Sequence, residues 1–157
     1  MTPRMQIAFR HDWGWDFRFL IARVTGAPVH CATLYGDECY DMAFSGMRKI
    51  TRQQRLAKGR WELIDVPGMY TPDAAVALAA SRIGWKYDWV GVLLAWWAGR
   101  IAGSAAVRRL FCSEEVADEL LAIGVPLLYR RSAHYTPRKL RDELVHHRRW
   151  RVAEVST

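Results

Sequence analysis

The chain has 157 residues, a formal net charge of +7, and 51% hydrophobic against 25% charged residues. That is the length of one domain with enough apolar matter for a real core, and it excludes a disordered or low-complexity chain. Three cysteines, Cys31, Cys39 and Cys112, are too few and too odd in number for a disulfide framework, so a reducing compartment is the simpler expectation. No apolar stretch precedes a cleavage site at the N-terminus, so no signal peptide is expected and synthesis is placed in the cytoplasm. The most apolar run, residues 90–98, is about half the length of a membrane span, so no transmembrane segment is expected.

In chain order, residues 5–9 predict a short first strand. Residues 17–24 predict a helix that Thr25-Gly26-Ala27-Pro28 stops. Residues 29–35 predict a strand, and Gly36-Asp37 a hairpin turn into a return strand at 38–43. Ser45-Gly46 turns the chain toward a short strand at 47–51, and polar residues 52–59 form a connection. Residues 61–66 give the next strand, closed by Pro67-Gly68. Thr71 as N-cap and Pro72 at the first helical position open an alanine-rich helix running to Ile83. Tyr87-Asp88-Trp89 follows, then an apolar helix is predicted at 90–98 and a loop around Gly103-Ser104. A helix from Cys112 ends near Gly124, Thr136-Pro137 caps a last helix to about Val145, and residues 150–155 return as an edge strand. With no internal repeat and no domain boundary, this is an α+β domain, an antiparallel sheet first and helices on one side afterwards.

Charge is unevenly placed. Residues 130–151 carry eight lysines and arginines against Asp142 and Glu143. Such a basic segment suits an anionic surface, whether phospholipid or acidic envelope polymer, or else a solvated face. No recognition-helix or aromatic-interleaved motif accompanies it, so nucleic acid is an unlikely partner. Cysteines and histidines lack metal-ligand spacing, and neither metal nor cofactor is expected.

Chemistry concentrates at Cys112-Ser113-Glu114-Glu115. Val116, Leu120 and Leu121 recur at helical spacing, which puts Cys112 in the first turn of an amphipathic helix. Free amides and the positive end of the helix dipole favour thiolate there, and an amide following the cysteine suits an oxyanion. A cysteine nucleophile needs a base and the base needs an orienter. His30 is the histidine within a predicted strand. If Gly36-Asp37 are the central residues of a tight turn, Tyr35 pairs with Glu38, Leu34 with Cys39 and Ala32 with Asp41, and Asp41 lies diagonal to His30 on one face. By strand alternation Cys31 is expected to face away from His30.

The histidine strand, the Gly-Asp hairpin, the Trp-Glu-Leu-Ile-Asp-Val-Pro strand, Lys86-Tyr87-Asp88-Trp89 and Phe111-Cys112-Ser113-Glu114 together resemble the circularly permuted branch of the NlpC-type papain-like cysteine hydrolases. In this branch, as here, the histidine strand comes before the cysteine helix. The match runs from about Phe17 to Leu140, and Phe-Cys-Ser-Glu is its most specific piece. The resemblance implies a papain-like fold, Cys112 as nucleophile and His30 as general base. Tyr87 matches a tyrosine lining the cleft of relatives, and Ser113 joins it as a substrate-binding candidate. Many relatives carry a polar third residue where this chain has Met42; Asp41, one residue earlier, has suitable chemistry.

Members of the branch are cell-wall amidases or peptidases, lipid acyl hydrolases and acyltransferases, and proteins encoded by tailed phages. A compact chain is most similar to the phage-encoded members. The leading expectation is therefore a cysteine amidase or endopeptidase acting on peptidoglycan stem peptides, with phage tail or baseplate proteins as partners. Two alternatives stand beside it. One is a lipid acyl hydrolase or acyltransferase whose Trp89, Trp96 and Trp97 face a membrane surface. The other is a structural module of a virion tail that retains the fold without catalysis.

Overall fold

The computed structural model describes residues 4–12, 27–88, 109–129 and 131–156. The helix expected at 17–24, the apolar helix at 90–98 and the loop at Gly103-Ser104 lie outside the described residues. Eight strands are described: β1 (Met5–Arg10), β2 (His30–Tyr35), β3 (Glu38–Ala43), β4 (Gly46–Thr51), β5 (Arg60–Asp65), β6 (Lys86–Tyr87), β7 (Arg109–Leu110) and β8 (Val152–Ser156). Four α-helices accompany them: α1 (Arg52–Leu56), α2 (Asp73–Ser81), α3 (Cys112–Ala122) and α4 (Pro137–Asp142), the last running on into a π turn at Glu143–His147.

Six strands form one sheet in the order β4-β3-β2-β1-β5-β8, every neighbouring pair antiparallel. The two-residue strands β6 and β7 pair in parallel as a separate ribbon.

Alternation along the strands sorts side chains to two faces. Ile7, Phe9, Cys31, Tyr35, Tyr40, Met42 and Ile64 face a core shared with α2, α3 and α4. Ala8, Ala32, Leu34, Cys39, Trp61 and Leu63 face the other way, where Leu56 of α1 covers them. Helices therefore lie on both faces, not on one. The helix α1 falls within the stretch expected as a connection. Its start is a capping box, Thr51 Oγ1 accepting from the Gln54 amide at 3.1 Å and Gln54 Oε1 accepting from the Thr51 amide at 2.9 Å.

Of the two helix caps expected from the sequence, one is displaced and one is formed. Thr71 does not cap α2, whose N-cap is Pro72 with no side-chain hydrogen bond. Thr136 does cap α4, accepting from the Lys139 amide at 3.2 Å.

The start of α3 is fixed from several sides. Arg82, at the C-cap of α2, bridges to Glu115 and Asp118, each at 2.7 Å. Ser113 Oγ donates to the Tyr135 carbonyl at 2.6 Å. The Tyr135 hydroxyl in turn donates to buried Glu143. These ties fix the start of α3 to the end of α2 and to the segment leading into α4.

Candidate active site

The hairpin delivers the histidine and the carboxylate. Gly36 has φ 58°, the positive value that a two-residue II′ turn requires at its first central position. Observed pairs are Tyr35↔Glu38, Leu34↔Cys39 and Thr33↔Tyr40, the register expected from the sequence. His30 Nε2 and Asp41 Oδ1 are 2.7 Å apart, and Asp41 is fully buried.

The second carboxylate oxygen of Asp41 is held by two arginines. Arg48, its register partner on β4, donates to Oδ2 from Nε at 3.2 Å and Nη2 at 3.0 Å. Arg55 Nη1 of α1 lies 3.1 Å from the same oxygen. The guanidinium of Arg55 also stacks over Trp61, 4.6 Å from the ring centroid, and His30 meets Trp61 edge-on at 6.4 Å. Burial alone would favour the protonated acid. The His30 hydrogen bond and charge, with Arg55 and Arg48 behind them, overcome it and hold the Asp41 carboxyl well below the usual range.

Cys112 is the first residue of α3. Its N-cap neighbour Phe111 offers no side-chain acceptor, so the amides at the start of the helix keep their capacity to meet negative charge. Cys112 lies close enough to the Cys31 thiol, the Cys31 backbone and the His30 imidazole to be influenced by all three. The Cys31 bond is the largest cause, with the charge and hydrogen bond of His30 adding to it, and the Cys112 thiol is lowered well below its ordinary pKa despite burial. Burial raises Cys31, with its bond to Cys112 adding to the rise, so Cys31 stays a thiol and donates. For His30, burial disfavours the charged ring, but the negative charge of Cys112 and the Asp41 bond outweigh it and its pKa is raised. These directions describe a thiolate–imidazolium pair.

Cys31 faces the opposite side of the sheet from Ala32 and Leu34, as alternation predicts, yet it still lies beside Cys112, because that is the face on which α3 packs. His30, at the very end of β2, reaches Cys112 as well.

Tyr87 enters from the small ribbon. Its ring packs edge-on against Phe44 at 5.4 Å and Phe111 at 6.2 Å. Burial first, then the charge of nearby Cys112, raises the pKa of the Tyr87 hydroxyl far above the ordinary value. Gly46 makes this approach feasible. A Cβ there would stand 2.5 Å from the Trp85 carbonyl oxygen, to which the Met47 amide donates at 2.8 Å.

The remaining candidates are placed elsewhere. Ser113, assigned by resemblance to substrate binding, is buried with its hydroxyl on the Tyr135 carbonyl, so it anchors the helix instead of facing open space. Met42 lies in the helix-side core. Cys39, on the other face, is pushed up to about 12, chiefly by burial. In the basic segment, Arg141 pairs with Glu62 at 2.8 Å and Arg148 with Glu143 at 3.5 Å, so part of its charge is engaged within the fold. Arg131, Lys139, Arg149 and Arg151 are exposed.

Among the described residues, no cluster of three or more His, Cys, Asp or Glu side chains could hold a metal ion. No helix among them is long and apolar enough to cross a membrane.

Arg48, Arg55 and Cys31 went unrecognised in the sequence. Placing the next turn at Phe44-Ser45 would have paired Asp41 with Arg48, and the Thr51–Gln54 capping box would have revealed α1 and with it Arg55. Comparison with known proteins adds nothing to this geometry, because no family model, curated protein or solved structure matches the chain.

Proposed function

We propose that the protein is a cysteine hydrolase of the amidase or endopeptidase type, with Cys112 as nucleophile, His30 as general base and acid, and Asp41 as orienter. One observation carries this reading: a single imidazole is bonded to a buried carboxylate at 2.7 Å through Nε2 and interacts with a thiol at the first turn of a helix. Asp41 on Nε2 leaves Nδ1 for the thiol, the arrangement a base needs to take and return one proton.

In the reaction, the Cys112 thiolate attacks the carbonyl carbon of an amide. The oxyanion that forms meets the first-turn amides of α3 and the Tyr87 hydroxyl. His30 then gives its proton to the departing amine, leaving a thioester. Water, deprotonated by His30, attacks that thioester and frees Cys112. Proton transfer by a positioned histidine contributes about 10²–10⁴-fold in rate.

A papain-like, circularly permuted fold and a peptidoglycan stem peptide as substrate are inferred from the resemblance of the motifs. So is a role as a phage tail-associated cell-wall hydrolase. Purified peptidoglycan incubated with the protein, with Cys112→Ala and with His30→Ala, and analysed by mass spectrometry, tests the substrate. Stem-peptide fragments produced by the native protein and absent with both variants support the proposal. The same fragments from Cys112→Ala would overturn it.

A second reading, a tail module without catalysis, is favoured by one observation. Cys112 is only 3% exposed and the His30 side chain 12%, so the thiol lies beneath its neighbours. Peptidoglycan left intact by a protein whose Cys112 resists small alkylating agents would favour that reading.

A further inference from the structure

At the end of the sheet away from His30 lies a groove of about 1060 Å³ bordered by β1, the loop after β5 and the chain entering β8. Met5 pairs with Tyr35 and Arg10 with His30, so the groove lies about 17 Å from the His30 end, at ~3.4 Å per strand residue. It is a separate place on the molecule, and neither the cysteine chemistry nor the motifs of the sequence account for it.

Its lining combines two kinds of group. Four arginines, Arg4, Arg148, Arg149 and Arg151, stand around it against a single carboxylate, Asp65. Asp65 is already engaged by Arg4 and by Gln6, and Arg148 leans on Glu143 at 3.5 Å. Arg149 and Arg151 have no carboxylate partner among the described residues. Between the arginines, the rings of Tyr70 and Trp150 meet with centroids 6.3 Å apart and planes at 48°, and both line the groove.

The backbone holds this arrangement at a cost. The π turn after α4 ends with the Arg148 amide on the Glu143 carbonyl and the Trp150 amide on the Leu144 carbonyl. Between them Arg149 takes φ 55°, making it the sole non-glycine residue with positive φ among those described. Helix termini of this kind usually place glycine there, because an L side chain is disfavoured in the left-handed region. Here an arginine occupies it and lines the groove. Strained backbone of this sort collects at ligand sites.

We propose that this groove binds a nucleoside polyphosphate, its phosphate chain taken by Arg149 and Arg151 and its ring by Tyr70 and Trp150. Guanidinium forks match phosphate oxygens in paired hydrogen bonds, and two unpaired arginines match a chain of two or more phosphates. A volume near the top of the small-molecule range admits a ring as well as the chain. Aromatic faces take a nucleobase by stacking without regard to its identity.

Isothermal titration of the full-length protein with ADP, pyrophosphate and adenosine tests this. ADP should bind at least about tenfold more tightly than pyrophosphate or adenosine, and less tightly as salt is added. Arg149→Gly should weaken ADP at least about tenfold while raising the thermal midpoint, because glycine relieves the left-handed strain. A merely structural arginine would not separate the two effects. Arg151→Ala should weaken ADP similarly, and Cys112→Ala should bind as the native protein does. No heat with ADP, ADP no tighter than pyrophosphate, or Arg149→Gly and Arg151→Ala binding unchanged would each overturn the proposal.

Discussion

His30 Nε2 and Asp41 Oδ1 face each other at 2.7 Å across the β2–β3 hairpin, and the carboxylate that fixes the ring is itself fixed by Arg48 and Arg55. The orientation of His30 thus depends on a charge cluster around a buried carboxylate, drawn from three neighbouring elements. Asp41→Asn keeps the shape but loses the charge. It should retain the fold, slow hydrolysis and raise the apparent pKa at which Cys112 is alkylated.

Asp41→Ala should also cost about 3–5 kcal/mol in stability, because it strands a buried guanidinium. The acid side gives a sign check. The Asp41 pKa is lower folded than unfolded, so its contribution is present above its ordinary value of 3.8 and is lost as pH falls below it. Asp41→Asn should flatten the acid limb of urea-unfolding stability, and an unchanged limb would contradict the ion-pair assignment.

The two arginines should not be equivalent. Arg55 has a side chain 13% exposed and covers Trp61, whereas Arg48 is 46% exposed. Arg55→Ala should therefore destabilise by about 3–5 kcal/mol, and Arg48→Ala by about 0–1 kcal/mol. The positive charge of Arg55 also lowers the His30 pKa, so Arg55→Met should move the histidine titration upward, as followed by its ring-proton NMR shifts.

Glu115 and Glu119 lie one turn apart on α3, each with an oxygen that no other donor reaches. The Tyr35 hydroxyl donates to Glu119 Oε2 at 2.9 Å. Burial raises Glu114 and Glu115 to about 7, and Glu119 higher than its ordinary value of 4.5. Raised folded pKa values mean that the native state binds more protons, so these acids favour folding below about 4.5 and lose that contribution as pH rises through about 7. Glu119→Gln removes one such charge and supplies a donor to Glu115. At pH 8 it should raise stability by about 1–3 kcal/mol, with little gain at pH 5, measured by denaturant unfolding.

Gly46→Ala should be damaging out of proportion to its size. The residue has φ 112°, and the added carbon meets the Trp85 carbonyl. The ribbon carrying Tyr87 must then shift. Lower thermal stability together with a larger loss of kcat than of substrate binding is expected, and a variant with native rate would remove Tyr87 from the chemistry.

Much of this site was legible in the sequence because its geometry is local. A two-residue turn fixes register, register places Asp41 near His30, and helical spacing places Cys112 in a first turn. What escaped depends on contacts between distant segments. Alternation placed Cys31 on the face away from His30, but alternation cannot say on which face a helix from far along the chain will pack, so the proximity of Cys31 to Cys112 was not foreseen. Ser113 looked like a polar group beside the nucleophile, yet the Tyr135 carbonyl claims its hydroxyl. The mistaken turn at Ser45-Gly46 hid Arg48, and an unread capping box hid Arg55. The groove of arginines was visible only as a basic C-terminal segment, since the sequence does not show that Arg4 and Tyr70 join Arg148, Arg149 and Arg151 there.

The central claim is that Cys112 and His30 share a proton as a thiolate–imidazolium pair. Its most direct measurement is the pH dependence of iodoacetamide alkylation, mapped to individual cysteines by mass spectrometry, for the native protein and His30→Ala. The account predicts that Cys112 reacts ahead of Cys31 and Cys39, with an apparent pKa well below that of an ordinary thiol, and that His30→Ala raises it. A native Cys112 that titrates as an ordinary thiol, or one whose profile is unchanged in His30→Ala, would contradict it.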